Sequence, residues 1–382
     1  MRAIVIGAGI GGLAATLSLR RAGHEVTLVE QLPRFTEAGA GIQLAPNATR
    51  VLRGLDRLDA VAAQAAPPGP LSFRTWSDGT EICHYALGRE VDDVFGAPYL
   101  QLHRADLQRA LAAAVPPESV RLGIQVVGIG QDDRSTQVIT AGGERLTADL
   151  VVAADGIRSA ARQWLFGADE AVFSQTAAYR ALLPAEQVAD LGLPDTGIWL
   201  GPGRHFVHYR VRRGELLNVV AVFGTETAQE SWTALAEPGE PLHAVLERAG
   251  RMYRWGIYTR TPLARWNSGR VTLLGDSAHA MVPFQAQGAA QAILDAAVLG
   301  DCLTDTDPAD VPAALDRYVR RRLATATRMQ ARSAHAGDEF HLPDGPEAGA
   351  RNARMAAHAA EHEFLPVATA WAADVLDEQA AQ

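Results

Sequence analysis

The segment Gly7-Ala8-Gly9-Ile10-Gly11-Gly12 follows a short apolar run, Ala3 to Ile6, and opens a helical pattern from Leu13 to about Ala22. A second apolar run, Val26 to Val29, ends at Glu30. Strand, glycine turn, helix, strand and terminal acid in this order specify a parallel βαβ unit that binds a dinucleotide. Gly7 makes the tight turn, Gly9 admits a pyrophosphate close to the backbone, and Gly12 lets helix and strand pack closely. Gly11 belongs to the same turn. Glu30 is placed to accept from a ribose hydroxyl.

The rest of the composition excludes several chemistries. All 35 basic residues are Arg, so no P-loop lysine, pyridoxal Schiff base or lysine general base is available. The net charge of -9 comes without a basic patch, so no nucleic-acid partner is expected. Cys83 and Cys302 are the two cysteines and form no Cys-x-x-Cys, which removes a dithiol relay and suits a reducing, cytoplasmic compartment. The glycines of the first turn interrupt the apolar N-terminal run, which therefore does not read as a signal peptide. No apolar run is long enough to span a membrane.

A late segment, Gly275-Asp276-Ser277-Ala278-His279-Ala280-Met281-Val282-Pro283-Phe284-Gln285-Ala286-Gln287-Gly288, lies between an apolar run (Val271 to Leu274) and an Ala-rich helical pattern (Ala289 to Leu299). It reads as strand, loop and helix start. The carboxylate of Asp276 can hold a polyol while the helix N-terminus faces an electron-rich ring.

Further segments add to these. Gly39 to Ala48 holds Gly41-Ile42-Gln43, with glycines for close backbone approach, and Pro46-Asn47 starts a helix. His103-Arg104 opens another helix. An Arg in a first turn is electrostatically unfavourable, which leaves either a solvated side chain or a phosphate or polyol contact. Leu150 to Ala153 is a buried strand followed by Asp155-Gly156. Residues 198 to 223 alternate as antiparallel strands. There His205, Val207, Tyr209 and Val211 share one face, opposite Phe206, His208, Arg210 and Arg212. His358-x-x-Glu361-His362 matches a zinc-protease pattern without a third ligand and reads as a solvated helix face, so no metal is expected.

The order Gly7-x-Gly9-x-x-Gly12 with Glu30, then Asp155-Gly156, then Gly275-Asp276 resembles the single-component FAD-dependent aromatic hydroxylases (class A flavoprotein monooxygenases). The branch it looks most like is that of salicylate, 3-hydroxybenzoate and 6-hydroxynicotinate hydroxylases. Tyr179-Arg180, His205 to Tyr209, and Phe340 to Gly345 extend the likeness over nearly the whole chain. The resemblance implies an α/β fold, α+β overall. A Rossmann-like FAD-binding domain (1–70, 98–176, 262–335) would be interrupted by a β-sheet substrate domain (71–97, 177–261) and followed by a helical C-terminal region (336–382).

It also implies roles. FAD would be the cofactor and NAD(P)H a transient co-substrate, with O2 and a small aromatic (phenolic or heteroaromatic) substrate as partners, in a monomer or homodimer. A flavin C4a-hydroperoxide would hydroxylate the ring. Glu30 would bind the adenosine ribose, Arg104 and Asp276 the ribityl-phosphate region, and Asp155 the neighbourhood of the pyrophosphate. Pro283 to Gly288 would line the flavin ring. Pro283 is grouped with His205 and Tyr209 as catalytic; Gly41, Ile42, Gln43, Gln287, Gly288 and Ala289 are grouped with the cofactor-binding residues. His205 would act as base or substrate orienter, and His279 is structural. Arg210, Ala280 and Leu294 depart from the family's usual Pro, Pro and Glu. A flavin oxidase or dehydrogenase independent of NAD(P)H, and a flavin-binding protein without turnover, remain as alternatives.

Overall fold

The computed structural model describes residues 1–35, 40–167, 169–224, 236–250 and 252–372. Gly39 of the expected glycine pair, and the last residues of the expected C-terminal region, lie outside them.

Two sheets organise the chain. The first has six strands in the order Asn267–Ser268, Val271–Leu273, Leu150–Ala153, Arg2–Ile6, Glu25–Glu30, Val120–Leu122. All pairs are parallel except Asn267–Ser268 with Val271–Leu273. Helices cover one face of this sheet and a three-stranded antiparallel sheet (Val126–Gln131, Thr136–Thr140, Arg145–Ala148) covers the other, so its central strands are apolar on both faces, and Leu150, Val151, Val152 and Ala153 are fully buried. The helix Ile10–Arg21 lies against the helix Gly288–Leu303. Small residues permit that approach: a Cβ on Gly300 would stand 3.0 Å from the Ser18 backbone oxygen.

The second sheet has seven strands in the order Tyr253–Thr259, Val172–Pro184, Leu216–Gly224, Arg204–Val211, Thr196–Gly201, Leu71–Thr75, Glu81–Tyr85. Its outer face packs on a separate apolar cluster that includes Trp76, Trp199, Phe206 and Phe223. A two-stranded ribbon, Gly41–Leu44 with Leu100–His103, also forms. The architecture is therefore the expected Rossmann-like α/β fold interrupted in sequence by a β-rich layer, with helices at the C-terminal end.

Some boundaries differ from the sequence reading. The first helix begins at Ile10 rather than Leu13, because Gly11 and Gly12 form its opening turn. The long strand of the second sheet begins at Val172, ahead of residue 177. The division at 335/336 falls inside one continuous 30-residue helix, Val311–Phe340, whose buried stripe continues past that point to Ala336 and Gly337. The stretch after Gly275 holds a helical turn, Asp276–His279, where a plain loop was expected.

Candidate active site

Strand register aligns one face of the second sheet. Arg180, Val220, Val207 and Ile198 stand opposite one another on four adjacent strands. Ala178, Val222, His205 and Leu200 form the row on one side, and Leu182, Asn218, Tyr209 and Thr196 the row on the other. Directly opposed residues project the same way. This face closes a cavity of about 400 Å³ whose other walls are Gly9, Gly11, Arg104, Gly156 and the Gly275 to Ala289 segment.

The glycine turn is built for close approach. Gly7 has φ +98°, and a Cβ on Gly12 would overlap the Gly7 carbonyl oxygen, so neither tolerates a side chain. At Gly9 a Cβ would meet nothing within 4 Å, which leaves open space at the helix start. The Glu30 carboxylate accepts from the backbone N–H of Ala8 at 2.8 Å and of Leu32 at 2.9 Å, tying this turn to the next strand end. Asp155 accepts from Ala161 N–H at 3.2 Å, while its other oxygen is buried without a partner among the described residues. Burial raises its pKa, against hydrogen bonds from Ser159 and the following backbone.

Two helix N-termini meet the cavity, at Ile10 and at Gly288, and neither has a side-chain cap. Their free N–H groups and dipoles favour negative charge there. Arg104 lines the same wall. The cradle therefore suits an elongated anionic dinucleotide.

Asp276 lines the cavity and is exposed to it, while its neighbours Gly275 and Ser277 are buried. Burial raises its pKa, and His279 and Arg104 partly offset this. Beneath it lies a buried ionic network. Asp295 accepts from Gly275 N–H at 3.0 Å and from Arg322 Nε at 2.8 Å, and it meets His279 Nε2 at 2.5 Å. Burial acts to raise the Asp295 pKa, but His279 and Arg322 outweigh it and hold the carboxyl at about 2. Leu294 is simply buried in the core beside it.

On the sheet side, His205 is 2% exposed and its Nδ1 lies 2.7 Å from Nε2 of His341. Phe284 and Phe340 contact the His205 ring edge to face. Burial, then His341, lowers the His205 pKa well below its ordinary value. Tyr209 is buried, which raises its pKa against the pull of Arg180, so it stays a protonated phenol. Asn218 accepts from Gly41 N–H at 2.6 Å. The Arg180 guanidinium has no ion pair or hydrogen bond among the described residues, and burial lowers its pKa. Arg210 lies on the opposite face, where it bonds Asp195 at 3.2 Å.

The cavity thus gathers His205, Tyr209, Pro283, Gly9, Gly11, Gly41, Ile42, Gln43, Arg104, Asp276, Gly288 and Ala289. Gly7, Gly12, Glu30, Asp155 and Gln287 do not line it. Gln287 is buried and accepts from Asn47 at 3.1 Å and Gln291 at 3.3 Å, bracing the loop from behind. Glu361 and His362 are exposed, as a solvated face requires, while His358 is half-buried, its Nδ1 3.1 Å from the Tyr85 hydroxyl and its ring stacked on His362. The sequence reading gave no part to His341, Asn218, Asp295 or Arg322. A buried acid two helical turns after Gln287, and an Arg on the apolar stripe of the long helix, were the available signals.

A family model described as an FAD binding domain matches residues 1–333. The 3-amino-4-hydroxybenzoate 2-monooxygenase PtmB3 of Streptomyces platensis is 38% identical over 368 residues, 93% of this chain and 92% of that protein. The 3-hydroxybenzoate 6-hydroxylase of Klebsiella oxytoca is 33% identical over 92% of this chain and 91% of that protein. Among solved structures, Klebsiella pneumoniae HpxO complexed with FAD and uric acid superposes with a TM-score of 0.85 at 24% identity, over 94% of each chain. At that identity the likeness speaks for the fold.

Proposed function

The chain belongs to the single-component FAD-dependent aromatic hydroxylases, and from that membership we propose that it hydroxylates a phenolic aromatic acid with NAD(P)H and O2. It is an FAD-dependent monooxygenase of aromatic substrates. The observation that carries the finer reading is Arg180, half-buried, with its Nε buried and unpaired among the described residues, and on the same cavity wall as His205 and Tyr209. An unpaired buried cation is costly, and a carboxylate on the ligand would relieve it. Relatives named for 3-amino-4-hydroxybenzoate and 3-hydroxybenzoate support an aromatic acid.

FAD would lie along the wall of Gly9, Gly11, Arg104, Asp276 and Gly288, with Glu30 on its adenosine ribose and Asp155 near its pyrophosphate. Bound there, it supplies the redox chemistry that NAD(P)H and O2 require. The chain's own side chains do the rest. Arg180 holds the acidic substituent. His205 Nε2 accepts the phenolic proton, because Nδ1 is already engaged by His341. Loss of that proton makes the ring electron-rich. Tyr209, protonated, donates to the substrate. Ile198, Val207, Val220, Val222, Phe284 and Phe340 keep water from the reacting ring.

The test is NAD(P)H oxidation by the holoenzyme across hydroxybenzoates, aminohydroxybenzoates and hydroxypyridine carboxylates, with product mass. A gain of one oxygen coupled to faster oxidation is expected. Substrate-driven flavin reduction without NAD(P)H would overturn the proposal.

A further inference from the structure

His205 sits on the cavity wall and is nearly inaccessible from outside the protein, at 2% exposure. Its only polar contact among the described residues is Nδ1 to Nε2 of His341, at 2.7 Å with ring centroids 4.9 Å apart. His341 follows the long helix Val311–Phe340 and is half-buried, so it meets both His205 and solvent. Its backbone carbonyl accepts from Gly203 N–H at 3.0 Å, at the turn leading into the strand of His205, which fixes the two rings together. Phe284 and Phe340 wall the pair with carbon.

We propose that His205 and His341 form a two-imidazole relay that carries the substrate's phenolic proton from the cavity wall to solvent. This rests on the reading of His205 as the group that accepts that proton. The phenol O–H bond breaks and the proton binds Nε2 of His205. The proton on Nδ1 of His205 passes to Nε2 of His341. Nδ1 of His341 then gives its proton to water. The reverse transfers reset both tautomers when product is reprotonated. No oxidant or reductant enters.

Electrostatics agree with a relay rather than a store. Burial holds His205 far below its ordinary pKa, and burial brings His341 to about 4, so neither ring retains a proton at neutral pH. Among the described residues, His341 acts on His205, and Asp338 acts on His341. Asp338 is exposed, and its negative charge favours the transient imidazolium of His341. A terminal base this deeply buried would be a poor proton acceptor; a conductor that stays neutral before and after transfer is suited to the place.

The decisive experiment mixes oxidised holoenzyme anaerobically with 3-amino-4-hydroxybenzoate in weak buffer with a pH dye. It follows both the phenolate difference spectrum and proton release. His341→Leu is expected to slow proton release at least about tenfold with His205 in place, and added imidazole to restore it. His205→Ala is expected to remove phenolate formation at neutral pH. Wild-type proton release in His341→Leu, with loss in His205→Ala, would overturn the relay and leave His205 as base. Wild-type release in both would overturn the base reading as well. Independently of any ligand, the ¹⁵N-histidine-labelled holoenzyme should show one N–H shared by the two rings and slow to exchange. Two rings titrating separately near the ordinary value would count against the relay.

Discussion

Gly41 touches Tyr209: a Cβ at Gly41 would lie 2.6 Å from Tyr209 Cε2 and 2.7 Å from its hydroxyl oxygen. The same Cβ would meet Asn218 Cγ at 2.7 Å. The ribbon and the second sheet thus meet through a glycine with no room to spare. Gly41→Ala should push Tyr209 toward the cavity and lower kcat/KM roughly tenfold to a hundredfold, as a displacement on the order of 1 Å does in a reactive site. Steady-state kinetics beside flavin content would separate this from cofactor loss. Unchanged kinetics would mean that Tyr209 has no positioning role.

Arg180 makes opposite demands on folding and on binding. Its Nε is buried without a partner among the described residues, and burial lowers the pKa of the half-buried side chain. Arg180→Gln should leave the free enzyme as stable or more so, because the desolvated cation is gone. KM for an aromatic carboxylate should rise about tenfold to a hundredfold, and little for the corresponding carboxamide. A melting curve with and without ligand reads both effects. Equal KM changes for acid and amide would count against the carboxylate contact.

His208 faces away from the cavity, fully buried beside Trp199 and Phe206, with both ring nitrogens unpartnered among the described residues. Burial, helped by Arg74 and Arg210, lowers its pKa from 6.5 to about 3. The unfolded chain therefore binds a proton that the folded chain refuses between those values. Its stabilising contribution is complete above pH 6.5 and is lost as pH falls toward 3, at about 1.4 kcal/mol per pH unit. His208→Leu should flatten the dependence of unfolding free energy on pH across that window. Parallel curves for the two proteins would remove His208 from the account of acid lability.

Asp295 joins Gly275, His279 and Arg322 within the core. Asp295→Asn strands a buried guanidinium, since Arg322 is 1% exposed. Stability should fall by about 3–5 kcal/mol, the usual cost of removing one member of a buried pair. Flavin retention should fall with it, because Gly275 carries Asp276 to the cavity. Denaturant titration and flavin absorbance measure the two losses.

The sequence made the cofactor half of this structure legible, since turn, helix and acid from Gly7 to Glu30 are local signals. Alternation likewise brought His205 and Tyr209 to one face without any structure. What stayed hidden depends on register and long-range packing. Arg180 meets Val207 across an intervening strand only because Val220 pairs with both. His341 reaches His205 from 136 residues away, at the end of a helix whose length local periodicity left open. Arg322 reads as one more charge in an Arg-rich helix until Asp295 is opposite it. Glu30 shows the converse: its place was plain, but its grip on Ala8 and Leu32 belongs to the folded turn.

The helix Val311–Phe340 spans about 45 Å at its ordinary rise. Near its start Tyr318 bonds the Leu273 carbonyl at 3.2 Å and Arg322 holds Asp295; further on, a Cβ on Gly337 would meet Phe284 Cε2 at 2.5 Å, and Phe340 meets His205. It is a tie rod bolted to both layers. A clamshell motion that parted the two sheets would have to break these contacts at both ends of one rigid helix.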